Sequence, residues 1–176
     1  MDSDLPAELG TRRGPGRVRR AVSDDVPALV ALLADDVLGA TRESGDPAPH
    51  DLAPYERAFA AVDADPAHLL VVAEVDGEVA GTLQLTVLPG LSRRGALRAQ
   101  VEGVRVAAAH RSSGLGSALV TWAADEARRR GCALLQLTTD ARRVDAHRFY
   151  ERLGFERSHV GFELPLDRGE PGRPRG

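Results

Sequence analysis

The alternation of apolar and polar residues predicts most of the regular structure of this chain. Residues 68–75 and 78–88 have the composition of two strands, and the Asp76-Gly77 pair between them is typical of a two-residue hairpin turn. A third long strand is predicted at residues 97–106, after a polar loop. Because the three runs are joined by short connections, they predict an antiparallel meander.

Before the meander, the pattern predicts one short strand and two helices. Residues 17–22 alternate as a strand does, and residues 26–37 repeat apolar positions at helical spacing. A second helix is expected at about residues 54–62. Residues 39–54 hold several prolines among polar residues, which indicates an irregular connection.

After the meander, helices and strands alternate. An amphipathic helix is predicted over residues 114–130, a buried apolar strand over 133–137 and another helix over 144–153. A last strand is predicted at residues 160–164. The strands on either side of the first of these helices should lie parallel, with a right-handed crossover.

Length and composition favour one domain. A chain of 176 residues with 43% hydrophobic residues can bury about two thirds of its unfolded surface. We expect the domain at residues 17–166, between flexible tails at 1–16 and 167–176 that are rich in Gly, Pro and Arg. No apolar stretch approaches the ~20 residues of a membrane span and no signal-peptide core is seen, so we expect a cytoplasmic protein without a membrane partner.

Charge is unevenly distributed, although the net charge is only −3. Residues 23–65 hold ten acidic residues and two arginines, whereas residues 104–157 hold ten arginines and six acidic residues. An acidic half suits a cationic partner and a basic half an anionic cofactor, but solvated helix faces of different composition would give the same counts.

Composition also excludes several kinds of site. All 23 basic residues are arginines, so neither a Schiff-base lysine nor a P-loop lysine is available. Cys132 is the single cysteine, which excludes a disulfide framework and a multi-cysteine metal site. The arginines are not interleaved with aromatic residues and the chain is acidic overall, so we expect no nucleic-acid partner.

The stretch from Val104 to Arg130 carries the clearest chemical signal. It joins a β-branched run, the turn Arg-Ser-Ser-Gly-Leu-Gly at residues 111–116 and a helix. The first N–H groups of a helix point outward with the positive end of the peptide dipoles, and a glycine turn lets a phosphate reach them. A Rossmann fingerprint does not fit, because Leu119 stands where the third glycine would be. We therefore predict another kind of anion-binding turn.

Arg111, Gly114 and Gly116 match Arg/Gln-x-x-Gly-x-Gly/Ala, which resembles the acetyl-CoA signature of the GNAT (Gcn5-related) N-acetyltransferase superfamily. Residues 145–155, ending in Tyr-Glu-Arg-Leu-Gly-Phe, resemble that family's late helix. The resemblance implies an α/β fold with a mixed, largely antiparallel central sheet and helices on both faces. It also implies a V-shaped split between the strands at 97–106 and 133–138.

The resemblance further implies acetyl-CoA as co-substrate, no metal, and direct transfer of the acetyl group to an amine. Loop amides would bind the pyrophosphate, a strand backbone the pantetheine arm, and the neighbouring strand would line the thioester. The implied cofactor-binding residues are Val104, Val106, Arg111, Ser112, Ser113, Gly114, Leu115, Gly116, Leu137 and Thr138.

Two residues are candidates for proton transfer. By the resemblance, Tyr150 would protonate the departing thiolate, although its helical spacing alone is also that of a packing residue. Strand parity places Glu102 on the face of Val104 and Val106, where a carboxylate could accept the ammonium proton directly or through water. The alternative is that Glu102 only satisfies an arginine or the backbone.

The sequence thus predicts an acyl-CoA-dependent N-acetyltransferase that acts on a primary amine of a small molecule, including cationic ones, or of a peptide. The alternative is a non-catalytic acyl-CoA-binding sensor or regulatory module. Relatives in this superfamily are often dimers, so a homodimer is one assembly to test.

Overall fold

The computed structural model describes residues 5–12, 14–35, 52–164 and 166, and the chain divides into the units Met1–Leu137 and Thr138–Gly176. The strands are β1 Ala7–Thr11, β2 Gly14–Arg20, β3 His68–Val75, β4 Glu78–Leu88, β5 Arg98–Val106 and β6 Leu134–Leu137. The helices are α1 Val26–Ala34, α2 Ala53–Ala64, α3 Leu115–Arg129 and α4 Val144–Arg152. Short 3-10 turns lie at Ser23–Asp25 and Ala108–His110, and a single helical turn at Ser92–Gly95.

The first unit is built on one six-stranded sheet in the order β1 to β6. Neighbours from β1 to β5 pair antiparallel, and β5 and β6 pair parallel. The predicted hairpin joins β3 to β4: Asp76 and Gly77 have φ of 53° and 82°, as a type I′ turn requires. The prediction of a mixed, largely antiparallel sheet is confirmed.

Both faces of this sheet carry helices. On one face, Leu69, Val71 and Ala73 of β3 share a core with residues of α3, all buried. The alternate residue Val72 packs on the other face with Leu29 of α1. Since successive side chains of a strand point to opposite faces, β3 lies between two helical layers. None of the helices in the described part of the chain is both long and apolar enough to span a membrane.

The sheet splits between β5 and β6. The two strands pair only from Arg98 to Val101 on β5, against Leu134 to Leu137 on β6. Strand β5 nevertheless continues to Val106. Its last five residues therefore extend beyond the β6 pairing, which is the V-shaped opening that the sequence predicted.

One strand lies where the sequence predicted a flexible tail. Residues 7–11 form β1, which pairs with β2, and β2 begins at Gly14 rather than near residue 17. The prediction of a tail at 1–16 is therefore wrong for these residues. Leu9 is the buried residue of this edge strand, and a short edge strand with one buried side chain gives almost no periodic signal.

The last strand that the sequence predicted, at residues 160–164, does not form. Residues 155–164 form no strand, and Val160, Phe162 and Leu164 are 80%, 93% and 81% exposed. Alternation of apolar residues specifies a face, but a strand also needs a partner, and none pairs with this segment in the described part of the second unit. Residues 36–51 and the predicted tail at 167–176 lie outside the described residues.

A buried carboxylate ties α1 to the sheet. Asp25, 7% exposed, accepts hydrogen bonds from Arg19 Nη1 and Nη2 at 2.6 and 2.8 Å and from Val22 N at 2.8 Å. Arg19 Nε donates to Glu74 Oε1 at 2.7 Å. The hydrogen bonds from Arg19 are the main reason that the pKa of Asp25 is lowered, although burial opposes them.

We predict that D25N lowers the free energy of unfolding by about 2 kcal/mol at neutral pH, since it removes the carboxylate charge that pairs with Arg19 Nη1 and Nη2 and leaves Glu74 as the remaining anion of Arg19 described here. A lowered folded-state pKa means that Asp25 stabilises the fold above its unfolded pKa of about 3.9 and less as pH falls through the folded value. Urea unfolding from pH 7 to pH 3 should therefore show a flatter acid limb for D25N. D125N, which breaks an exposed pair with Arg128, should cost under about 0.5 kcal/mol. If D25N and D125N lower the free energy of unfolding equally, the stabilising role of Asp25 is contradicted.

Candidate active site

The glycine-rich loop connects β5 to α3. Ser112 and Gly114 have φ of 63° and 91°, so the chain turns sharply before α3 begins at Leu115. The first bond within α3 runs from Ala118 N to Gly114 O at 3.0 Å. The N–H groups ahead of it, such as that of Gly116, lie at the open, positive end of the helix.

The loop is anchored from within. Ser113 is 3% exposed; its Oγ donates to His110 O at 2.7 Å and accepts from Leu115 N at 3.3 Å. Leu115 is fully buried beneath it. The serine therefore serves the loop's conformation, which leaves backbone amides rather than its hydroxyl to meet a ligand.

Two other segments brace the same loop. Arg12, after β1, donates its backbone N–H to Ser113 O at 2.8 Å. The Arg111 side chain donates from Nε to Val106 O at 3.3 Å and from Nη2 to Asp35 Oδ2 at 2.9 Å. The sequence analysis did not predict the Arg12 contact, because it did not predict β1, the strand that Arg12 follows.

A β-bulge in β5 overturns the parity argument for Glu102. Glu102 pairs with Gln84 but Arg105 pairs with Thr82, so two residues of β5 oppose one of β4. Gly103, with φ of 62°, takes up the extra residue. Glu102 therefore lies on the opposite face of the sheet from Val104 and Val106, which pack against the α3 core.

The same bulge sets the direction of the backbone beside the split. Ala107 N donates to Ala80 O of β4 at 2.9 Å. Because successive N–H groups of a strand point to opposite sides, those of Val106 and Val104 point away from β4, toward the opening. These are the backbone groups that the family resemblance assigns to the pantetheine arm.

A row of polar residues crosses the sheet on the α1 and α2 face, and the sequence analysis did not predict it. His68, Thr86, Gln100 and Gln136 are successive partners on β3, β4, β5 and β6. His68 Nδ1 lies 2.9 Å from Thr86 Oγ1, and Gln136 Nε2 donates to Gln100 Oε1 at 2.7 Å. The four residues come from four different strands, so the row emerges only from the register of the sheet.

Gln84 connects this row to Glu102. Its Nε2 lies 3.3 Å from His68 Nδ1, and Glu102 is its partner on β5. Glu102 itself is exposed. A carboxylate, an imidazole and several amides thus share one face of the sheet.

The remaining predicted residues divide between the two units. Leu137 ends β6 and packs on the same core as Val104 and Val106. Thr138 and Tyr150 belong to the second unit, where the half-buried Tyr150 ring meets Phe149 and Phe155 edge-on at 5.0 and 5.7 Å. Tyr150 therefore has aromatic packing neighbours within the second unit.

Cys132 does not provide a nucleophile. It is half-buried after α3, and burial raises the pKa of its thiol while Arg130 acts in the opposite direction. A thiol whose pKa is raised is protonated near neutral pH and therefore unreactive.

Known proteins are similar to this chain in both sequence and fold. The model of the acetyltransferase (GNAT) family matches residues 31–155. Aminoalkylphosphonate N-acetyltransferase from Salmonella typhimurium is 30% identical over 149 residues, which cover 85% of this chain and 90% of that protein.

Two solved structures illustrate the structural likeness. A transcriptional regulator from Bacillus halodurans is 46% identical, with a TM-score of 0.79 over 85% of this chain and 98% of that one. Glucosamine-6-phosphate N-acetyltransferase from Arabidopsis thaliana is 20% identical, with a TM-score of 0.70 over 86% and 99%, and supports the fold alone. With a split sheet, a glycine loop opening α3 and a family match over most of its length, the chain belongs to the GNAT family and is an N-acetyltransferase.

Proposed function

We propose that this chain moves an acetyl group directly from acetyl-CoA to the primary amine of a small molecule. The observation that carries the proposal is the length of β5 beyond its pairing with β6, which runs straight into the glycine loop. Backbone groups of Val104 and Val106 would bind the pantetheine arm as an added strand, and the loop amides would bind the pyrophosphate. Leu137 and Thr138 would line the thioester.

The proposed chemistry needs one base and one acid. Glu102 takes a proton from the acceptor ammonium, directly or through water, so that the neutral amine can attack the thioester carbonyl. The tetrahedral intermediate then collapses with cleavage of the C–S bond, and Tyr150 protonates the thiolate. The bulge supports the role of Glu102, because it turns the carboxylate to the face of the polar row while the neighbouring backbone remains at the opening.

The ion pairs of the acidic segment, residues 23–65, bear on the charge expected of the acceptor. Asp25, Asp35 and Asp63 each pair with an arginine from outside residues 23–65. These acids are therefore partly neutralised, and the case for a cationic acceptor is weaker than the residue count suggested. The relative from Salmonella is named for an acceptor with an anionic phosphonate, and we take a small aminoalkylphosphonate as the first acceptor to test.

One observation favours a second function. The Bacillus halodurans protein, 46% identical to this chain, is named a transcriptional regulator. A regulatory module would bind acyl-CoA without transferring the acyl group. The location in the cytoplasm, the homodimer and the absence of a nucleic-acid partner stay predictions.

A panel of acceptors separates the two functions. We expect CoA release with an aminoalkylphosphonate, and slower release with diamines, amino acids and peptides. The measurement is initial-rate CoA release with a thiol reagent, beside calorimetric binding of acetyl-CoA. If acetyl-CoA binds but none of the amines causes release of CoA, the regulatory module is favoured. If acetyl-CoA does not bind, both functions are contradicted.

We predict that E102Q lowers kcat/KM by about a hundredfold, because general base catalysis contributes on that order. The acidic limb of the pH profile of kcat/KM should shift or disappear, since Gln cannot accept the proton. E78Q, a change of the same kind in an exposed residue at the start of β4, is the matched control. An unaltered acidic limb in E102Q would remove Glu102 from the mechanism.

For Tyr150, the Y150F variant should reduce kcat by about tenfold or more, because the thiolate then departs without its proton donor. The ring contacts with Phe149 and Phe155 are kept, and the affinity for acetyl-CoA should change little. Steady-state kinetics and calorimetry on the same preparation measure both. If kcat is unchanged, Tyr150 acts only in packing.

A further inference from the structure

Asp35, at the carboxyl end of α1, contacts the glycine loop at three points. Its Oδ2 accepts from Arg111 Nη2 at 2.9 Å and from Ala108 N at 3.1 Å. Its backbone carbonyl accepts a further bond from Arg111 Nη2 at 2.5 Å. One residue thus holds both ends of the turn at residues 108–111.

The two partners are chemically matched. The last carbonyls of a helix lack intrahelical donors and carry the negative end of the peptide dipoles, so a guanidinium at that point is favourable. Arg111 fills this place for α1 while also donating to Val106 O at the end of β5. Through Arg111, α1 and β5 are joined at the entrance of the loop.

The loop needs such support because its conformation is not intrinsically favoured. Ser112 has φ of 63°, a left-handed value that costs a residue with a side chain roughly 1 kcal/mol or more. Gly114 follows with φ of 91°. The amides that meet a pyrophosphate are those that follow this turn, so their direction depends on its shape.

Resting on the proposed function, we propose that Asp35 is a positioning residue for acetyl-CoA binding. It fixes Arg111 and the Ala108 amide, and so holds the loop with its amides directed out of the α3 end, without touching the cofactor. The paired guanidinium also neutralises the Asp35 carboxylate, which would otherwise repel a phosphate. Asp35 should therefore affect binding of acetyl-CoA rather than the chemical step.

The test compares acetyl-CoA binding and steady-state kinetics for the wild type, D35N and D35A. We expect D35A to raise both the Kd and the KM for acetyl-CoA by about five- to tenfold, with kcat changed less than about twofold. D35N keeps an oxygen acceptor, so its Kd and KM for acetyl-CoA should lie between those of the wild type and those of D35A. D125A, which breaks an exposed and unrelated pair with Arg128 on α3, should leave all three parameters unchanged.

A double-mutant cycle tests the route through Arg111. In an R111A background, D35A should raise the Kd by a smaller factor than it does in the wild type. An equal factor, an unchanged Kd in D35A, tighter binding, or a fall in kcat at constant KM would each overturn the inference. These outcomes leave the proposed function standing, whereas a wild type that binds no acetyl-CoA overturns both.

Discussion

The early end of hydrogen bonding between β5 and β6 is the constraint on which the site depends. After Val101 and Leu137 the strands no longer pair, yet β5 continues to Val106. The N–H groups of Val104 and Val106 point away from β4, and backbone N–H groups that have no strand partner are costly unless water or a ligand satisfies them. In the proposed function the pantetheine arm supplies those partners, and the loop at the end of the strand receives the pyrophosphate.

Rigid elements surround the glycine loop. Leu115, Leu119 and Ala123 of α3 are fully buried, so the helix that follows the loop is fixed on the sheet. At the other end of α3, buried Glu126 pairs with Arg129 and Arg130. The loop is therefore preorganised by packing on one side and by hydrogen bonds from Arg12 and Arg111 on the other.

Local signals made much of this fold predictable. The Asp76-Gly77 turn, the amphipathic pattern of α3 and the apolar run of β6 each depend on residues close in sequence, and the structure confirms the elements they predict. The errors arose where long-range pairing decides the outcome. Strand β1 exists because β2 offers an edge, and residues 155–164 form no strand although their alternation is stronger.

The candidate site followed the same rule. The turn at Arg111 to Gly116 could be found from its residue types, because glycine is required there by the backbone. The polar row from His68 to Gln136 and the contact of Asp35 with Arg111 join segments far apart in sequence. A single sequence carries no signal for such contacts until the register of the sheet is known.

The bulge at Gly103 changes the face of the sheet on which the following side chains of β5 lie. Before it, the side chains of Gln100 and Glu102 lie on the α1 and α2 face; after it, Val104 and Val106 lie on the α3 face. Substitutions in the first part can therefore change what the sheet presents on the polar face without disturbing the backbone that runs into the glycine loop. The two halves of this strand can therefore be changed independently of each other.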